Sequence, residues 1–118
     1  MIKLGIIGYK NHPQRLIGLI EKNKNCELQF IYHPDRKIED KKGTNEFSDL
    51  FKCDGVIIAS PNHTHLQYII KLLNSSQAKI FCEKPPVNNK KDLEVLESLS
   101  IEHKRRIFFN FNFRFSKF

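Results

Sequence analysis

The feature that most constrains this chain is a set of four short runs made almost entirely of apolar residues: Ile2 to Gly8, Leu28 to Tyr32, Gly55 to Ala59 and Lys79 to Cys82. None alternates strictly between apolar and polar residues, as a strand with one wet face does. Each reads instead as a strand buried on both faces. Such strands need a covering layer on each side, and the segments between them supply it. Pro13 to Lys22 carries Leu16, Ile17, Leu19 and Ile20 at helical spacing behind a helix-opening proline, with Gly18 weakening it slightly. A second helix starts near Asn62 or Thr64, either of which is a suitable cap, and presents Leu66, Ile69, Ile70, Leu72 and Leu73. Asn89 and Asp92 are spaced as a capping box ahead of a third, with Leu93, Leu96 and Leu99.

Between these units Arg36 to Thr44 is polar and reads as a loop, and Asn45 to Lys52 as a short helix burying Phe47, Leu50 and Phe51. A last strand begins near Arg106. Strands alternating with helices through short loops predict right-handed crossovers, hence an α/β fold: a three-layer, doubly wound parallel sheet in a single domain spanning residues 1–118.

Composition narrows the function classes. With 40% apolar residues the chain can bury a core, while 118 residues are too few for an enzyme of two full domains. No apolar run approaches the ~18 residues of a membrane span, and the amino terminus lacks the features of a signal peptide, so a cytoplasmic protein with no membrane partner is expected. Cys26, Cys53 and Cys82 stand singly in or beside apolar runs, which suits buried reduced thiols. The net charge of +7 is spread among acidic residues, so nucleic acid is not an expected partner.

In parallel sheets ligands bind beyond the carboxyl ends of the strands. There stand the loops Gly8 to Pro13, His33 to Asp35, Ser60 to His65 and Glu83 to Pro85. The first occupies the place of a G-x-G-x-x-G dinucleotide fingerprint but keeps only Gly8; Lys10 and Pro13 stand for the other glycines. Lys10 is a candidate phosphate contact, with a solvated loop lysine as the plainer reading. His33 holds the strand-end position where an acid usually binds the ribose 2′-hydroxyl, with Asp35 two residues on. A simple turn at Pro34 and Asp35 is the competing reading. His63 and His65 lack further ligands at close spacing, so no metal site is expected; an imidazole beside the cofactor or substrate suits them better. Lys84, held between Glu83 and two prolines, is the candidate acid or base, or else an ion-pair partner of Glu83.

The stretch Asp54-Gly55-Val56-Ile57-Ile58-Ala59-Ser60-Pro61-Asn62-His63-Thr64-His65, followed by Glu83-Lys84-Pro85 and then Asn112-Phe113-Arg114-Phe115, resembles the amino-terminal half of the glucose-fructose oxidoreductase, inositol dehydrogenase and MocA family. The resemblance implies a Rossmann-like domain of an oxidoreductase that binds NAD or NADP and acts on sugars or polyols. It assigns Gly8, Tyr9, Lys10, His33, Ser60, Pro61, Asn62, His65, Glu83, Lys84 and Pro85 to the cofactor, and Lys84 to catalysis. The missing glycines, His33 in place of an acid, and the absence of the family's sheet-rich second domain depart from the pattern. They imply a truncated or split product, inactive unless a separate substrate-domain polypeptide joins it. Phe109, Phe111, Phe113 and Phe115 fall on one face of an extended strand, and exposed Phe115 and Phe118 predict self-association. The alternative is therefore a non-catalytic, self-associating module that kept the fold and lost the cofactor.

Overall fold

A computed structural model describes residues 1–8, 17–83, 87 and 89–109. Six parallel strands form one sheet: β1 (Ile2–Ile7), β2 (Cys26–Tyr32), β3 (Gly43–Thr44), β4 (Gly55–Ile58), β5 (Lys79–Cys82) and β6 (Ile107–Phe109). Their spatial order is β3-β2-β1-β4-β5-β6. The chain thus winds outward from β1 to one edge, returns, and winds to the other, which is the doubly wound α/β topology. Residues 17–21 are helical (α1), followed by α2 (His65–Ser75), α3 (Lys90–Glu97) and α4 (Ile101–Lys104).

Two apolar clusters, one per face, account for the near-continuous hydrophobicity of the strands. Leu4, Ile6 and Ile57 join Ile17 and Ile20 of α1 together with Leu28, Ile31 and Ile38. The alternate strand residues Ile7, Val56 and Ile58 pack with Ile69, Leu72 and Leu73 of α2 and with Leu96 of α3. Ile6, Ile31, Ile58 and Ile69 have no exposed surface, and burial of each such side chain stabilises the fold by about 1.5–3 kcal/mol. Leu28 and Ile31 share a face despite odd spacing because the β1–β2 register shifts between Leu4 and Gly5. At Gly5 a Cβ would stand 2.7 Å from Leu50 Cδ2, so the missing side chain lets the 3-10 helix Phe47–Lys52 lie close on the sheet.

Three local expectations are corrected. The segment read as loop from Arg36 to Thr44 contains β3 and buries Ile38. Neither carries a hydrophobic run, because β3 is recruited by pairing with Ile31 and Tyr32 of β2. Neither Asn62 nor Thr64 caps α2 through its side chain: residues Asn62–Thr64 form a 3-10 turn, and the Thr64 hydroxyl donates to Pro61 O instead. Leu19 and Leu93, read as core-facing, are 41% and 44% exposed. Asn89 does cap α3, accepting from Asp92 N–H at 2.8 Å. The alternating tail beyond Phe109 lies outside the described residues.

Arg106 locks the second half of the sheet to α2. Its guanidinium donates to the carbonyls of Leu72, Leu73, Ser76 and Ala78, with the shortest contact 2.7 Å to Ser76 O. These carbonyls close the carboxyl end of α2, where a cation also opposes the helix dipole. Arg106→Ala is expected to lower the unfolding free energy by about 2–3 kcal/mol in urea titration, with Arg106→Lys recovering only part because one ammonium cannot reproduce the fork.

Cys53 and Cys82 are buried and Cys26 is partly exposed. Burial, then Asp54 and Asp49, push the Cys53 thiol up to about 11; burial, then Glu83, push Cys82 up to about 12. A thiol reagent at mildly alkaline pH is expected to modify Cys26 in the folded protein, and the other two only on unfolding. The unfolded chain ionises these thiols near their usual value of 9.0, while the folded chain holds their protons longer, so stability is expected to fall as pH rises from there toward 12.

Candidate nucleotide site

β1 and β4 are neighbours whose chains leave in opposite directions, β1 toward β2 and β4 toward β5. Beyond their carboxyl ends lies a cavity of about 320 Å³ lined by Ile7, Gly8, His33, Pro34, Asp35, Ala59, Ser60, Pro61, Thr64 and Tyr68. Backbone bonds hold its floor: Gly8 N–H donates to Tyr32 O at 3.0 Å, and Ala59 N–H to Ile7 O at 3.0 Å. Gly8 has φ +112°, and a Cβ there would stand 2.8 Å from Ala59 O. A side chain would therefore be strained by conformation and blocked by backbone at once.

One wall is the turn after β2. His33 Nδ1 accepts from Arg36 N–H at 2.8 Å and Asp35 N–H at 3.3 Å. In the neutral ring that leaves the proton on Nε2. Asp35 Oδ1 also stands 3.2 Å from Nδ1. Nδ1 can accept from Arg36 N–H or, carrying a proton, face Asp35, but not both at once. Asn45 secures the turn from behind, its Nδ2 donating to His33 O at 2.8 Å and Arg36 O at 3.0 Å. The turn at Pro34 and Asp35 is formed, and His33 within it lines the cavity.

The opposite wall is the turn after β4. Thr64 Oγ1 donates to Pro61 O, which leaves Ser60 Oγ to donate to Thr64 Oγ1, each at 2.6 Å. His65 lies beneath this turn, 1% exposed, its Nε2–H donating to Ser60 O at 2.9 Å. Tyr68 closes the cavity from α2. Its ring stacks on Phe47 with centroids 5.6 Å apart and meets Tyr32 edge-on at 6.1 Å. Burial, then Tyr32 and Asp35, raise the Tyr68 phenol; burial, then Glu46 and Asp35, raise that of Tyr32. Both phenols therefore keep their protons at neutral pH.

Of the residues assigned from sequence, the cavity wall brings together Gly8, His33, Ser60 and Pro61. Asn62 and His63 are exposed on the 3-10 turn, Glu83 follows β5, and His65 is buried under the loop; none of the four lines the cavity. His65 positions the wall rather than forming it. Tyr9, Lys10, Lys84 and Pro85 lie outside the described residues. Sequence reasoning overlooked Tyr68, whose signal was a phenol in an otherwise aliphatic helix face, a residue type that packs its ring and keeps its hydroxyl near water. Among the described residues no group of three or more His, Cys, Asp or Glu is placed to hold a metal, and no helix is long and apolar enough to cross a membrane.

The sequence profile of the family described as "Oxidoreductase family, NAD-binding Rossmann fold" (GFO_IDH_MocA) matches residues 2–111. An uncharacterized oxidoreductase of Streptococcus pneumoniae serotype 4 is 31% identical over 93 residues, covering 72% of this chain and 25% of that protein. Among solved structures, apo scyllo-inositol dehydrogenase from Lactobacillus casei superposes with a TM-score of 0.75 at 22% identity, covering 93% of this chain and 36% of that one. A Gfo/Idh/MocA family oxidoreductase from Vibrio cholerae gives 0.78 at 17% identity over 94% and 39%. An Agrobacterium radiobacter oxidoreductase in complex with NAD+, L-tartaric acid and magnesium gives 0.76 at 16% identity over 96% and 36%. At these identities the structural likeness is one of fold. The chain spans a quarter of its curated relative and less than two-fifths of each of these structures.

The geometry of Gly8 predicts that Gly8→Ala lowers the unfolding free energy by about 1–3 kcal/mol, read from denaturant titration, because the left-handed conformation and the Ala59 carbonyl both oppose a Cβ. Gly18→Ala, where a Cβ meets nothing within 4 Å, is expected to be neutral or stabilising.

Proposed function

The chain belongs to the Gfo/Idh/MocA oxidoreductase family, and we propose that its cavity binds the adenosine end of a nicotinamide dinucleotide as the cofactor domain of such an enzyme. The observation that carries this reading is the cavity's position at the β1/β4 switch point, floored by a glycine whose Cβ would collide with backbone. The described residues fit a nucleoside. His33 Nε2–H and the Asp35 carboxylate form a donor and acceptor pair suited to ribose hydroxyls, and Pro34, Pro61 and Tyr68 offer apolar surface to a base. Asp35 also favours NAD over NADP. A carboxylate accepts from a free 2′-hydroxyl and repels a 2′-phosphate, and among the described residues the cavity lining holds no lysine or arginine.

When bound, the nicotinamide supplies hydride acceptance or donation. Lys84 is the proposed proton carrier, on the strength of its place in Glu83-Lys84-Pro85 directly after β5, whose carboxyl end shares the sheet edge that carries Gly8 and Ser60. Sugars or polyols are the proposed substrates of the complete enzyme, with their contacts supplied from outside this domain.

Calorimetric titration with NAD, NADH, NADP and NADPH tests the reading. The non-phosphorylated pair is expected to bind at least about tenfold more tightly than the 2′-phosphorylated pair. Asp35→Asn is expected to weaken NAD by about tenfold and narrow that preference. Absence of binding by all four to folded protein would contradict the proposal, and equal binding of both pairs would remove the role given to Asp35.

A further inference from the structure

The turn after β2 offers one proton two arrangements. His33 Nδ1 has three neighbours: Arg36 N–H at 2.8 Å, Asp35 N–H at 3.3 Å and Asp35 Oδ1 at 3.2 Å. The two amides are donors and need a bare Nδ1. The carboxylate oxygen is an acceptor and needs a proton there. A neutral ring therefore closes the turn as an asparagine side chain would, by accepting from amides two and three residues on. A charged ring donates to Asp35 instead. The heavy atoms of that second arrangement already stand within hydrogen-bond distance, so the exchange asks for a proton rather than for a movement of the chain.

Three features allow it. The His33 side chain is 24% exposed, within reach of solvent protons, and that of Asp35 is 88% exposed. The two amides released from Nδ1 lie in an exposed turn, where water replaces the lost acceptor. Asn45 holds the turn independently of the ring, its Nδ2 spanning His33 O at 2.8 Å and Arg36 O at 3.0 Å.

The surroundings leave this proton to His33. Among the described residues, the charged and titratable groups around it are Asp35 and Arg36 of its own turn, Tyr32 at the end of β2, Glu46 acting on Tyr32, and Tyr68 of α2. From the loop after β4, Ser60, Pro61 and Thr64 on the facing wall are neutral. Burial raises both phenols further above neutrality. Histidine is the side-chain type in this set whose charge changes between about pH 5 and pH 8.

We propose that His33 is a proton-dependent selector of the nucleotide's ribose, an inference that rests on the nucleotide reading above: neutral, it leaves the Asp35 carboxylate to accept from a free 2′-hydroxyl; protonated, it takes Asp35 as counter-ion and the cavity admits a 2′-phosphate. His33, Pro34 and Asp35 together form the cavity wall, so the exchange happens where the ribose is read. With His33 neutral the pair carries the carboxylate's negative charge, which repels a phosphate; with His33 charged the pair carries none.

Two measurements test this. In the protein without ligand, NMR is expected to show the Arg36 and Asp35 amides shifting along the same pH curve as the His33 ring, while the Asn45 side-chain amide stays in place. An Arg36 amide that ignores the ring's titration would overturn the proposal. Calorimetric titration with NAD+ and NADP+, at about pH 8 and about pH 5.5, is expected to show the preference for NAD+ shrinking at least about fivefold on acidification. The 2′-phosphate itself titrates near about pH 6, so His33→Asn is the control: its Oδ1 can accept from Arg36 N–H, yet it takes up no proton. Its preference is expected to change much less with pH. Shrinkage of the same size in His33→Asn would overturn the proposal, since the ligand would then be its source. Binding with a pH-independent preference would overturn this proposal alone, whereas absence of binding by both dinucleotides at both pH values would overturn the nucleotide reading with it. The ligand-free titration uses the unaltered chain, so it decides the matter should the variant fail to fold.

Discussion

The structure depends on β1 and β4 lying side by side with both faces covered. Distant in sequence, they pair in register from Leu4 with Gly55 to Ile7 with Ile58. Their side chains divide between two cores: Leu4, Ile6 and Ile57 to one, Ile7, Val56 and Ile58 to the other. Covering both faces forces the connections to leave on opposite sides, and two neighbouring strands whose connections diverge leave a gap at their ends. The cavity is a consequence of how the core is buried. Gly8 then determines that the gap stays open, because its positive φ turns the chain away while the missing side chain leaves Ala59 and Ser60 within reach.

How much of this was legible in sequence follows from how local each cause is. Strands β1, β2, β4 and β5 announced themselves because burial on both faces requires an apolar run, and the Asn89 cap because its partner is three residues away. β3 was illegible: two residues carry no pattern, and their strand geometry comes from pairing with β2. The cap at α2 misled because Thr64 has two uses for its hydroxyl, and the nearby Pro61 carbonyl takes it. In the site, Gly8, His33, Ser60 and Pro61 could be placed from their position after strands alone. Tyr68 could not, since its role arises where α2 crosses the turn after β2. His65 looked like a ligand residue but bonds the Ser60 carbonyl, and nothing in a linear motif separates an imidazole that touches a ligand from one that shapes the loop that does.

Polar and apolar surface are segregated between the centre of the sheet and its β6 edge. At the centre, polar groups are committed: His33 Nδ1, Ser60, Thr64 and His65 all hold the walls, and Tyr32, Phe47 and Tyr68 form a ring cluster that fixes α2 against the β2 turn. Such pre-organisation limits the ordering cost of binding a small polar ligand. At the β6 edge Phe108 and Phe109 are exposed beside an apolar groove between α3 and β6. Arg106 connects the two regions mechanically, since it ties the start of β6 to the end of the helix that carries Tyr68.

The central claim is that the crevice beyond β1 and β4 receives a nucleotide. Backbone amide chemical shifts, followed by NMR as NAD is added, test it most directly because they report position as well as binding. The account predicts that shifts concentrate at Gly8, at His33 to Arg36 and at Ser60 to Tyr68, while amides of α3 and β6 stay in place. Shifts centred on α3 and β6 with a silent Gly8 and Ser60 would contradict it.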